Sequence, residues 1–108
     1  MASSVSFVQY VCDQLSGAGE IRFKRMFGEY GLYCDGKFFA VVCDDSLFVK
    51  PTKAGAALLA DPQYAEPYAG AKPSLLIQNL EDRELMTRLV ETTCSELPAP
   101  RPRKKKDS

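Results

Sequence analysis

The spacing of hydrophobic positions changes along the chain, and each change marks a new element. From Val5 to Leu15 the apolar residues Val5, Val8, Val11, Cys12 and Leu15 recur at three- and four-residue intervals, the period of a helix with one buried face. Ser3 or Ser4 offers a side-chain oxygen to cap its first turn. "SGAG" at 16–19 then ends it, since glycine accepts the left-handed conformation that closes a helix. From Ile21 to Lys50 the period falls to two and the residues become aromatic and β-branched, which predicts the strands "IRFKRMF", "YGLYC", "KFFAVVC" and "LFVK". Asp35-Gly36 is a pair favoured in two-residue type I′ hairpins, where both central residues need positive φ. Asp44-Asp45-Ser46 makes the next tight turn. Four antiparallel strands in a meander follow.

After Pro51, "TKAGAALLAD" fits a short helix capped by Thr52 and ending before Pro62. "DPQYAEPYAGAKPS" (61–74), with three prolines and one glycine, reads as a loop. "LLI" at 75–77 is a short strand able to extend the sheet. Residues 80–97 form the longest predicted helix. Asn79 is its expected cap, Glu81, Asp82 and Glu84 sit at its positive end, and Met86, Leu89, Val90 and Leu97 line one face. Glu84 and Arg88 stand at i,i+4, and Pro98 terminates the element. The fold class is α+β: an antiparallel β-meander sheet of four to five strands with an N-terminal helix, a short middle helix and a long C-terminal helix.

One strand raises a question of coverage. Simple alternation in Lys37–Cys43 puts Phe38, Ala40 and Val42 on one face and Phe39, Val41 and Cys43 on the other. A strand apolar on both faces must be covered on both. Either the three helices wrap both sides of the sheet, or one sheet face meets a second copy of the protein, which makes a homodimer the expected assembly.

Charge divides the chain. At 108 residues there is room for one ordinary core, assigned to residues 1–97. Residues 1–100 carry nine Lys/Arg against thirteen Asp/Glu, a net of −4, whereas the last eight carry five Lys/Arg and one Asp, a net of +4. The body is thus mildly acidic, and its overall charge does not recommend it to nucleic acid. The closing "PAPRPRKKKDS" (98–108) cannot build a core and is expected to be a disordered basic tail. The N-terminus lacks the basic and apolar regions of a secretory signal, and no stretch approaches the ~20 apolar residues of a spanning helix. A cytoplasmic protein with no membrane contact is expected. Its four cysteines, Cys12, Cys34, Cys43 and Cys94, contain no C-x-x-C pair and read as buried reduced thiols rather than a disulfide framework. Cys34 and Cys43 flank the central hairpin, where they are structural thiols or, alternatively, a redox pair.

Candidate chemistry is sparse. The chain has no histidine, which removes the commonest general base, the commonest metal ligand and both Ser-His and Cys-His nucleophile pairs. No cysteines lie at zinc-finger spacing. Catalytic, metal and cofactor sites are therefore expected to be none. Asp44-Asp45 is the densest carboxylate pair, but turns favour Asp because its side chain bonds backbone. Glu29 interrupts an aromatic segment and reads as a partly buried acid or as an exposed strand end. Gly28, Gly31 and Gly36 lack the strand-to-helix context of a dinucleotide fingerprint. "GEYG" has the glycine spacing of a phosphate-clamping loop, yet it joins strands and carries the anionic Glu29, so a bulge or close backbone approach is the better account. The residues singled out as structural are Met26, Phe27, Gly28, Gly31, Asp35 and Gly36, with Phe39 and Val41 for packing. Arg22, Lys24 and Arg25 crowd one strand, with Arg22 and Lys24 on the face opposite Phe23 and Arg25. Together with Arg101, Arg103, Lys104, Lys105 and Lys106 they are the candidate nucleic-acid contacts, a weak, salt-sensitive site.

The string "RMFGEYGLYCDGKFFAVVCDDSLFVKP" resembles the N-terminal domain of the TfoX/Sxy family, bacterial proteins linked to regulation of natural competence. Its parts here are Arg25-Met26-Phe27-Gly28, Tyr30–Tyr33, Asp35-Gly36, Phe38–Val42 and Asp45–Lys50, and "NLEDRELM" opens the last helix in a similar way. The likeness covers about residues 5–97. It implies an α+β domain with an antiparallel sheet and no established catalytic residues. Full-length regulators of that family add a C-terminal helical domain, where this chain has a short basic tail. The expectation is a stand-alone, non-enzymatic regulatory module that contacts another protein, with a small nucleic-acid-associated protein as the alternative.

Overall fold

A computed structural model describes residues 4–26 and 29–97. Phe27, Gly28, Ser3 and the expected tail at 98–108 lie outside the described residues. Helix α1 spans Val5–Leu15, followed by a short 3-10 turn, Ser16–Ala18. Four strands come next: β1 Ile21–Met26, β2 Glu29–Cys34, β3 Lys37–Cys43 and β4 Ser46–Val49. Helix α2 covers Lys53–Ala57, strands β5 and β6 cover Gln63–Ala65 and Ser74–Ile77, and helix α3 covers Arg83–Glu96. Among the described residues the sheet has six antiparallel strands in the order β1-β2-β3-β4-β6-β5.

The β2–β3 and β3–β4 hairpins both turn through positive φ. Asp35 and Gly36 have φ of 50° and 87°, the geometry that made Asp-Gly a turn signal. Asp44 and Asp45 reach 51° and 53° without a glycine, and aspartate tolerates this conformation better than most residues. The aspartates also tie the turns to distant backbone. An Asp35 side-chain oxygen accepts the Glu20 N–H at 3.0 Å, and an Asp45 carboxylate oxygen accepts the Ser4 N–H at 3.0 Å. Ser4 in turn caps α1 by accepting the Phe7 N–H.

Three details depart from the sequence reading. The segment 61–74 is not all loop: β5 pairs with β6 through Gln63↔Leu76, Tyr64↔Leu75 and Ala65↔Ser74, giving six strands rather than four or five. The cap of α3 is Asp82, whose side chain accepts the Leu85 N–H, while Asn79 only closes the preceding turn through its carbonyl. In β3 the alternation breaks. Leu32 pairs with Ala40 but Tyr33 pairs with Phe38, so Phe39 is an extra residue in a bulge. Phe39 therefore joins Ala40 and Val42 in the core, and Phe38 falls on the side of Val41 and Cys43.

The core lies between one sheet face and the helices. Val8, Val11 and Leu15 of α1 and Met86, Leu89 and Val90 of α3 meet Leu32, Phe39, Val42, Leu47, Val49 and Leu75 from the strands, all fully buried. Half-buried Leu58 and Leu59, just after α2, complete the layer. Gln14 fastens the two long helices: its amide donates to the Leu80 carbonyl at 2.7 Å and its oxygen accepts from Arg83 at 3.0 Å. The helices thus cover one face of the sheet. No described helix is long and apolar enough to cross a membrane.

Candidate functional site

The other sheet face is covered by side chains and one loop. A Cβ added to Gly31 would lie 2.8 Å from Met26 Cε and 2.9 Å from Phe38 Cε1. Gly31 is therefore glycine because two apolar side chains close over the strand there, which answers the phosphate-cradle reading by geometry. The Tyr33 and Phe38 rings stand 5.2 Å apart, and the Lys50 ammonium lies 4.5 Å from the centre of the Phe38 ring, within cation–π range. The β5–β6 loop carries Pro67 and Tyr68 back across this surface. Between loop and sheet lie two adjoining hollows of about 500 and 430 Å³ that share Phe38, Val41, Pro67 and Tyr68.

This cleft is apolar in the middle and charged at its ends. Glu29 and Asp44 line one end; Lys50, Lys72 and Leu97 line the other. A Glu29 carboxylate oxygen accepts the Asp44 N–H at 2.9 Å, so Glu29 is half-buried and joins the start of β2 to the second hairpin turn. Of the residues singled out from sequence, Met26, Gly31 and Val41 belong to this surface, whereas Phe39 belongs to the opposite core. Pro67 and Tyr68 were not found from sequence. They lie in a stretch read as loop, where the adjacent proline and tyrosine were the one signal in the sequence.

The basic residues of β1 are divided by the pleat. Lys24 pairs opposite Gly31, while Arg25 pairs opposite Tyr30 and sets its guanidinium 5.7 Å from that ring. Arg22 is bonded to Glu20 at 2.7 Å, both side chains being largely exposed, and that hydrogen bond raises its already high pKa. Arg101, Arg103, Lys104, Lys105 and Lys106 lie outside the described residues.

The cysteines are not gathered into a site. Cys34 adjoins the Asp35-Gly36 turn and pairs with Lys37, whereas Cys43 lies at the far end of β3 opposite Ser46. The hairpin thus holds Cys34 and Cys43 apart, which fits structural thiols and not the alternative of a redox pair. Cys34 instead donates its Sγ–H to the Ala18 carbonyl at 3.9 Å, and its pKa is pushed up to about 12, chiefly by burial and then by the nearby Cys94 and Asp35. Burial also raises Cys12, Cys43 and Cys94, the last opposed by the nearby Cys34 and Lys37. Such thiols are protonated and weakly nucleophilic near neutral pH. Among the described residues no group of three or more His, Cys, Asp or Glu side chains is placed to hold a metal ion.

These features define an α+β domain whose antiparallel sheet is backed by helices on one face and bears an apolar cleft on the other. The chain belongs to the TfoX N-terminal domain family, whose model matches residues 13–97. It is also 38% identical over 107 residues to the uncharacterized 12.7 kDa protein in the trpE 5′ region of Spirochaeta aurantia, a match covering 98% of this chain and 93% of that protein.

Proposed function

We propose that this chain is a non-enzymatic, regulatory protein-interaction module of the TfoX N-terminal type, and that the open sheet face receives a protein partner. The observation that carries this reading is the apolar cleft around Phe38, Val41 and Tyr68, which no described helix covers. Apolar surface of this kind with a charged rim is characteristic of contact sites. Membership of the family supports the same direction, since its members are linked to regulation. A homodimer forms part of the proposal, with exposed Phe23 beside α1 as the candidate subunit contact. A monomer by mass measurement at high micromolar concentration overturns the dimer.

The test of the partner surface is affinity capture from the native cell with three baits: wild type, Val41→Glu in the cleft, and Arg88→Glu on the exposed side of α3. Both variants are first shown to melt as wild type does. Loss of the wild-type partner with Val41→Glu, and its retention with Arg88→Glu, is the expected result. Equal capture by all three baits overturns the reading.

A further inference from the structure

The two ends of the cleft differ in charge, and the chain leaves the fold at the cationic end. Leu97, which caps α3, lines the cleft beside Lys50 and Lys72. Eleven residues follow it, "PAPRPRKKKDS". Their order matches the cleft. Pro98, Ala99 and Pro100 carry no charge, and all five cations lie between Arg101 and Lys106. A segment leaving Leu97 across the sheet passes Lys50 and Lys72 with its neutral residues. Its cations then arrive at the end lined by Glu29 and Asp44.

The lengths agree. A chain covers at most about 3.6 Å per residue, so Arg103 and Lys104 can reach about 20–25 Å from Leu97. From Phe38 to Asp44 along β3 is at most six strand steps, about 20 Å at 3.3 Å each, shortened by the bulge at Phe39. Prolines at 98, 100 and 102 remove every second backbone donor, which disfavours adding a strand to the sheet. Proline-rich segments dock instead on aromatic grooves, and Phe38 and Tyr68 provide one.

We propose that residues 98–108 occupy the open-face cleft of their own chain, prolines against Phe38 and Tyr68 and cations against Glu29 and Asp44. The proposal rests on reading this face as an interaction surface; the tail is its resident occupant, which a partner must displace. Tethering keeps the segment at a local concentration on the order of millimolar, so a weak contact is enough to hold it.

The experiment is nuclear magnetic resonance on the purified full chain with no partner added. Expected are nuclear Overhauser contacts from Pro98 and Pro100 to the Phe38 and Tyr68 rings. The triple variant Arg101→Glu, Arg103→Glu, Lys104→Glu should lose those contacts and shift the Val41, Asp44 and Tyr68 amides. Raising salt from about 0.01 M to about 1 M, which cuts the screening length from about 30 to about 3 Å, should move the wild-type amides toward the variant's. Absence of the contacts, or identical cleft amides in wild type and variant, overturns the proposal. So does a mixed sample of labelled and unlabelled chains in which the contacts are intermolecular, because the occupant is then a second copy. With no partner in the tube, a failure here leaves the capture comparison untouched.

Discussion

Thr93 offers a sharp test of the packing between α2 and α3. It is fully buried in α3, and among the described residues its hydroxyl is a buried side-chain polar atom with no hydrogen-bond partner. It faces Gly55 of α2 so closely that a Cβ there would lie 3.0 Å from Thr93 Oγ1. Burying an unbonded hydroxyl costs about 1–3 kcal/mol by protein mutational measures. Thr93→Val replaces that hydroxyl with a methyl group, and Val and Thr have similar helix propensity. The variant should gain about 1 kcal/mol, which in a domain of this size raises Tm by about 4–8 °C. Thermal unfolding by circular dichroism reads the shift, and urea unfolding should show a higher midpoint with unchanged slope. Thr93→Ser provides the control: it keeps the hydroxyl, loses the methyl and should fall by about 1 kcal/mol. A Thr93→Val protein that melts at or below the wild-type temperature would refute the reasoning, because the hydroxyl would then have a bond worth keeping.

Other predictions rest on single contacts. Gln14→Ala removes the bridge to the Leu80 carbonyl and Arg83 and should cost about 1–2 kcal/mol; a chemical midpoint equal to wild type would contradict it. Gly31→Val forces Met26 and Phe38 off the strand and should lower stability by about 1–3 kcal/mol while shifting the resonances of the open face; a shift confined to the helical core would be the wrong outcome. For Cys34, the folded pKa of about 12 stands above the ordinary 9.0, so the folded thiol keeps its proton where the unfolded one loses it. That contribution is whole below pH 9 and declines as pH rises from 9 toward 12. Stability measured across this window should fall less steeply in Cys34→Ala than in wild type, and parallel profiles would rule the thiol out.

How far the sequence revealed this molecule depends on the range of the interactions involved. Local signals were legible: the period of α1, the Asp35-Gly36 turn, the apolar run of β3 and the Thr52 cap of α2 all reappear in the structure. The resemblance carried by Arg25–Pro51 agrees with the family match. What escaped depends on partners far along the chain. Strand β5 is three residues long and exists only because β6 pairs with it, and its composition alone spells loop. The bulge at Phe39 is a disagreement between two strands about register, so alternation within "KFFAVVC" assigned Phe38 and Phe39 to the wrong faces. Asp82 outcompeted Asn79 as a cap because the turn through Asn79 delays the helix. The cleft was half legible: a strand apolar on both sides announced that something must cover the second face. The loop residues Pro67 and Tyr68 that roof it are joined to β3 only by the folded topology.

The central claim is that the open sheet face is the contact surface, and site-specific photo-crosslinking in living cells tests it most directly. A photoreactive phenylalanine analogue replaces Tyr68, which roofs the cleft and is 58% exposed, or Arg88, exposed on α3. After irradiation, the account predicts a discrete adduct with a partner protein from position 68 and none from position 88. An adduct formed from position 88 with none from position 68 would place the contact on the helical side and contradict the account.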